Sequence, residues 1–285
     1  MPDGRPLLRV EHLRKVYASG RGEVEAIGDI SFTMDPGELL CVVGPSGCGK
    51  TTLLKCLAGL LRPTSGLVEM EGSPVTGPSP AMAVVFQEYG RSLYPWLTVR
   101  GNVELPLRHK KLSRAERGRL VDDALDAVGL LQSARSHPWQ LSGGMQQRVA
   151  IARAVAYQPD VLIMDEPFAA VDAQTRADLE DLVRELHLTR GISTVFVTHD
   201  IDESVYLGQR VLVLSNSPTR VQEDLAIDLP PERDQLTTRA LPRFTELRTR
   251  VYEQIQRAKR GPVPSSVDAR PVRPGPQARD RTDGH

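Results

Sequence analysis

Gly44-Pro45-Ser46-Gly47-Cys48-Gly49-Lys50-Thr51 fits G-x-x-x-x-G-K-[ST] at every defined position. Glycine is needed there because the backbone must wrap closely around a phosphate with its N–H groups turned inward. Lys50 is then set to reach the β- and γ-phosphates of a nucleotide, and the Thr51 hydroxyl to ligate Mg²⁺. An apolar run, Glu38 to Val43, precedes the loop and a helix-forming run, Thr51 to Leu61, follows it. This context argues against a chance glycine-rich turn. By itself the loop indicates nucleotide binding and nothing narrower.

A second group of chemically capable residues lies downstream. Val161-Leu162-Ile163-Met164-Asp165-Glu166 ends an apolar strand in two carboxylates. Parallel sheets bind ligands at strand C-termini, so Asp165 is suited to hold Mg²⁺ and Glu166 to accept a proton from an attacking water. His199 follows the apolar strand Thr194 to Thr198 and is expected to touch the γ-phosphate and orient that water. Gln87 ends the apolar run Ala83 to Phe86, where its amide can contact Mg²⁺ or the water. Ser142-Gly143-Gly144 opens a helix, and a hydroxyl, exposed N–H groups and a helix dipole together make a second phosphate-sized anion site. Two phosphate sites on one chain are explained if the second serves a nucleotide held by a sister subunit.

The elements that must position these residues are legible in outline. Residues 7–34 read as short strands, and Leu67 to Val75 as a hairpin-like segment. Ser113 to Leu131 reads as a helix with a Ser113/Glu116 capping box and a stop at Gly129. Further helices are expected from Ser142 to near Pro159 and from an Asp172 cap onward. Strands apolar on both faces and alternating with helices predict an α/β fold with a mostly parallel sheet. Residues 88–157 are expected to form a helical subdomain within a domain spanning 1–240, followed by a C-terminal helix over 241–260. From Gly261 the chain is rich in proline, arginine and aspartate without an aromatic residue, and reads as a disordered tail over 261–285.

Composition narrows the class further. Lys+Arg 36 against Asp+Glu 36 give a formal net charge of +0, so bulk charge offers no basis for nucleic-acid binding. No stretch has the roughly 18–20 apolar residues of a membrane-spanning helix. The first ten residues hold no apolar signal core, so a cytoplasmic location is expected. Cys41, Cys48 and Cys56 match no zinc spacing and are expected to stay reduced. Cys48, at a helix N-terminus near Lys50, sits where a thiolate is favoured; modification that Mg-ATP slows is the expectation.

Taken together, these segments closely resemble the nucleotide-binding subunit of ABC transporters over residues 7 to about 220. The order is intact: Tyr17, the phosphate loop, Gln87, Leu141-Ser142-Gly143-Gly144-Met145-Gln146-Gln147-Arg148, Asp165-Glu166, Asp172 and His199. Met145 stands where many relatives have glutamate, and Val171 where leucine is usual. The resemblance implies a P-loop NTPase core with an antiparallel β subdomain and a helical subdomain. It also implies that Tyr17 stacks on adenine and that Thr52 supports the α-phosphate beside Thr51. Ser142, Gly143 and Gly144 would clasp the γ-phosphate held by the opposite subunit, and Asp172 would bridge the two subunits.

Phe86-Gln87-Glu88-Tyr89-Gly90-Arg91-Ser92-Leu93-Tyr94-Pro95-Trp96-Leu97-Thr98-Val99 is similar to the nitrate, sulfonate and taurine importer branch. The partners implied are a second ATP-binding subunit in a homodimer, transmembrane permease subunits and, indirectly, a periplasmic or lipid-anchored solute-binding protein. The location implied is peripheral, on the cytoplasmic face of the cell membrane, with ATP and Mg²⁺ as cofactors. An exporter or lipoprotein-release motor is the nearer rival. Soluble DNA-repair relatives carry a long coiled coil between loop and signature, which the short interval here lacks.

Overall fold

Three fully buried strands decide the centre of the molecule. In the computed structural model, which describes residues 5–20, 22–87 and 92–260, they are β3 (Leu39–Val43), β7 (Val161–Asp165) and β8 (Ser193–Val197). A strand buried at every position needs cover on both faces, and all three have it. Alternate residues of β3 serve opposite cores: Leu40 and Val42 face one, and Leu39, Cys41 and Val43 the other. The first core takes in α1 (Lys50–Leu57) and the N-terminal strands; the second takes in most of the other helices.

Together with β6 (Met82–Val85) and β9 (Arg210–Leu214), the buried strands form a parallel block in the order β9-β3-β8-β7-β6. On the β9 side, β10 (Thr219–Ala226) pairs antiparallel with β9 and parallel with β2 (Gly22–Met34). Antiparallel pairing then runs through β1 (Leu8–Ser19), β4 (Ser65–Met70) and β5 (Ser73–Pro74). The order is therefore β5-β4-β1-β2-β10-β9-β3-β8-β7-β6, a P-loop NTPase-type α/β fold.

The N-terminal region differs from the sequence expectation in one respect. Residues 7–34 form two long strands instead of several short ones, paired from Leu8↔Met34 to Ser19↔Gly22. Register shifts at Val10/Leu13, Leu13/Lys15 and Lys15/Val16 break the two-residue alternation and make one long strand read as pieces. His12 lies in the left-handed region at φ 46°, and a side chain on Gly66 would collide with the His12 backbone. The neighbouring strand thus needs a glycine where the kink comes closest.

Between β6 and β7 the chain builds α2 (Val99–Glu104), α3 (Arg114–Ala127) and α4 (Gly143–Ala156), which pack on one another. The capping box is present: Ser113 Oγ accepts from Glu116 N at 3.2 Å, and Ser113 N donates to Glu116 Oε2 at 2.8 Å. The helix ends at Ala127, and the expected stop is there: Gly129, at φ 69°, leaves the right-handed region, so Leu130 and Leu131 fall outside the helix. Likewise α1 stops at Leu57, two residues before Gly59 at φ 69°, and short of the expected Leu61.

After β7 come α5 (Ala173–Arg190), capped by Asp172, and the short α6 (Ile201–Leu207), capped by Asp200. The chain closes with α7 (Pro242–Arg260), whose Phe244, Leu247, Val251 and Ile255 form a buried stripe. Among the described residues, no helix is long and apolar enough to cross a membrane. The expected disordered tail over 261–285 and residues 88–91 of the expected helical segment lie outside the described residues.

Candidate active site

The parallel register sets the site. Val42 of β3 pairs with Val197 of β8, and Val197 in turn pairs with Asp165 of β7. The C-terminal ends of three neighbouring strands are therefore level, and the loop after each opens on the same edge. Gly44 to Lys50 leaves β3 there, Glu166 follows β7, and Thr198-His199-Asp200 follows β8.

The loop has the geometry of an anion cradle. Gly49 caps α1 at φ 105°, with no side chain bonded to the first-turn N–H groups. Those donors and the positive end of the helix dipole suit a phosphate. A Cβ on Gly49 would lie 3.2 Å from both Ala26 O and Thr219 Oγ1, so the loop is pressed against β2 and β10. Lys50 is buried and curls back over the loop, donating to Gly44 O at 3.0 Å and Pro45 O at 3.2 Å. Its Nζ stands 3.8 Å from Glu166 Oε1.

Next to the lysine, the Thr51 hydroxyl bonds the buried Asp165 carboxyl. Burial raises the pKa of that carboxyl from its ordinary value, opposed first by the Thr51 hydrogen bond. A hydroxyl and a carboxylate side by side at the phosphate loop are a donor set that fits Mg²⁺. Tyr17 lies above the same helix, its hydroxyl 3.3 Å from Thr52 Oγ1 and its ring partly exposed. Gln87 is exposed, two residues past the end of β6, which is the strand beside β7.

Glu166 occupies the left-handed region at φ 43°, and its N–H is tied to Val197 O at 2.8 Å. This unusual backbone turns the carboxylate back toward the neighbouring strand end. His199 Nδ1 lies 3.0 Å from Glu166 Oε2. Lys50, Thr51, Asp165, Glu166 and His199 thus stand in one contiguous group.

Ser142, Gly143 and Gly144 do not join that group. Ser142 Oγ caps α4 by accepting from Met145 N at 3.3 Å. Among the described residues no hydrogen bond or ion pair links Ser142–Gly144 to the Lys50 group. Instead Gly144 abuts Thr175, which bonds the Asp172 carboxylate through N at 3.0 Å and Oγ1 at 2.7 Å. The two helix starts at Ser142 and Asp172 are therefore neighbours.

One sequence expectation is overturned. Cys48 is 1% exposed, and burial raises its thiol above the ordinary value, against the opposing pull of Lys50. Desolvation of the thiolate outweighs the helix terminus and the lysine, so Cys48 is a packing residue and not a reactive one. Sequence reasoning also missed Thr219, whose hydroxyl stands within hydrogen-bond reach of two carbonyl oxygens, Ala26 O at 3.0 Å and Cys48 O. It arrives from β10, about 170 residues away, and no local signal could mark it.

A glycine cradle at a strand–helix turn and a carboxylate pair at the adjacent strand end define a nucleotide-binding P-loop ATPase. The sequence profile of the ABC transporter family matches residues 27–169. The nitrate import ATP-binding protein NrtD of Synechocystis sp. (strain ATCC 27184 / PCC 6803 / Kazusa) is 44% identical over 227 residues, covering 80% of this chain and 85% of that protein. NrtC of Synechococcus elongatus, also a nitrate import ATP-binding protein, is 41% identical over 258 residues; the match covers 89% of this chain but spans 39% of that longer protein. The dimeric structure of MJ0796, a bacterial ABC transporter cassette, superposes with a TM-score of 0.68 at 32% identity, covering 77% of this chain and 98% of that one. The chain belongs to the ABC transporter family, among its ATP-binding subunits.

Proposed function

We propose that the protein is the ATP-hydrolysing motor of an ABC importer and works as half of a head-to-tail dimer. The observation that carries this reading is the separation of the two phosphate-suited sites. Lys50, Thr51, Asp165, Glu166 and His199 share one edge, while the exposed start of α4 at Ser142 makes no bond to them. A second copy turned head to tail supplies the missing half.

In this reading the loop amides from Gly44 to Thr51 and the Lys50 ammonium bind the β- and γ-phosphates, and Tyr17 stacks on adenine. Thr52 supports the α-phosphate. Thr51, Asp165 and Gln87 hold Mg²⁺, which when bound offsets phosphate charge. Glu166 accepts the proton of the attacking water, and His199 orients Glu166 and contacts the γ-phosphate. Ser142, Gly143 and Gly144 of one copy clasp the nucleotide on the other, and Asp172 bridges the copies beside them. Closure and opening of the dimer bias a membrane permease between two access states.

The helices within residues 92–157 act as the helical subdomain that meets the permease, so the protein sits peripherally on the cytoplasmic membrane face. The relatives named for nitrate import support uptake of a nitrate-like anion; sulfonate- or taurine-like anions and delivery by a solute-binding protein rest on the resemblance of residues 86–99 to that importer branch.

Glu166→Gln tests the assignment. The variant should bind ATP, lose at least about a hundredfold in hydrolysis, and run as a closed dimer in size-exclusion chromatography with ATP. Hydrolysis at the wild-type rate would refute the base assignment.

A further inference from the structure

His199 poses a positioning problem. Its side chain is 57% exposed and bonds Glu166. No other side-chain hydrogen bond is made by it among the described residues. A ring held by one bond in solvent owes its aim to the backbone that carries it.

That backbone is fixed from below by a buried polar group. The Thr198 N–H donates to Val42 O at 3.1 Å, and the Asp200 N–H donates to Thr198 Oγ1 at 2.9 Å. The Asp200 carboxylate accepts from Glu203 N at 3.1 Å and from Arg176 Nη1 at 3.3 Å. The Glu203 carboxyl completes the set with a hydrogen bond to the Thr198 side chain. Thr198 and Glu203 are 2% and 4% exposed, so neither is held by solvent. With Arg176, Asp200, Glu166 and His199 they line a small cavity of about 10 Å³.

We propose that Glu203, acting through Thr198, is a positioning residue for ATP hydrolysis, fixing the loop that aims His199 at Glu166. The proposal rests on the reading of Glu166 and His199 given above. A buried carboxyl is costly unless it is satisfied. Here it meets Thr198, whose oxygen also receives the Asp200 N–H; the two residues flanking His199 are thereby locked in one network.

The charge state of Glu203 follows from its surroundings. It faces Thr198 on β8, Asp200 at the loop, Glu180 and Arg176 on α5, and Cys41 on β3. Burial pushes the Glu203 carboxyl up to about 8, Glu180 and Asp200 push the same way, and Thr198 and Arg176 oppose. At neutral pH the group is uncharged and can donate to or accept from the Thr198 hydroxyl. Above that value it becomes a carboxylate facing Asp200, and the loop loses its support.

The test uses the full-length chain and its steady-state MgATP hydrolysis across neutral to alkaline pH. Thr198→Val should lower kcat by about tenfold or more with KM for MgATP within about twofold, since misaimed catalytic groups cost that much without changing binding. Glu203→Gln, uncharged and able to make the same hydrogen bond, should keep the wild-type kcat at neutral pH. It should also abolish a fall in kcat that the wild type shows above about pH 8. Wild-type kcat in Thr198→Val would overturn the proposal, as would an alkaline fall unchanged in Glu203→Gln. So would a loss in Thr198→Val expressed in KM instead of kcat. His199→Ala separates the two readings: if it hydrolyses ATP normally, the role of His199 falls and this proposal with it. If it is inactive while Thr198→Val is normal, only the present proposal falls.

Discussion

Nδ1 of His199 and Oε2 of Glu166 are 3.0 Å apart, joining two strand ends that are separated by 33 residues in sequence. The other carboxylate oxygen faces Lys50 at 3.8 Å. The carboxylate is thus shared between a histidine and the phosphate-loop lysine, and neither neighbour acts on it alone. Groups that work as a unit do not contribute additively. Glu166→Gln and His199→Ala should each reduce kcat by at least about a hundredfold, and the double variant should be no slower than the worse single one. Steady-state kinetics on the three variants checks this; a double loss equal to the product of the singles would show two independent roles.

Gly144 is the tightest position at the second phosphate-suited site. A Cβ there would overlap the Thr175 methyl, and the Thr175 side chain cannot rotate away without giving up the bond from its Oγ1 to Asp172. Gly144→Ala should therefore destabilise the chain by about 1–3 kcal/mol, the usual cost of overpacking, and reduce ATPase activity by displacing the start of α4. Thr175→Ser keeps the hydroxyl and removes the methyl, so Gly144→Ala/Thr175→Ser should recover most of the stability. Urea titration of the single and double variants gives the coupling energy; no recovery in the double variant would place the strain elsewhere.

All three cysteines are buried. Burial is the leading cause in each case, raising the Cys41 and Cys48 thiols and pushing Cys56 up to about 11. Thiols that remain protonated at neutral pH and lack solvent access should not react. Maleimide treatment of the native chain followed by intact-mass measurement should add no label, and three labels should appear in denaturant. Rapid labelling of native Cys48 would show that the loop opens in solution.

Much of the site was readable from residue order because its parts are local. The phosphate loop needs adjacent glycines and a lysine, a carboxylate pair needs one strand end, and a helix cap such as Ser113/Glu116 needs four residues. Each is a short-range rule that works within one segment. The stop at Gly129 is legible because a glycine follows the last periodic residues, but the helix after the phosphate loop ends at Leu57, short of the expected Leu61, because the apolar pattern continues past the backbone turn at Gly59. The long N-terminal strands were broken into pieces for the opposite reason, since register shifts interrupt the pattern without ending the strand.

The sequence by itself determined which chemistry the chain carries: phosphate binding at Lys50, carboxylates at Asp165 and Glu166, and a second helix start at Ser142. Only the tertiary structure decided how these meet, because pairing of β3, β8 and β7 levels three strand ends that are distant along the chain. It also decided the fate of Cys48 and Glu203. Their protonation depends on desolvation by residues from other elements, and burial is a property of the packed molecule that no local spacing encodes.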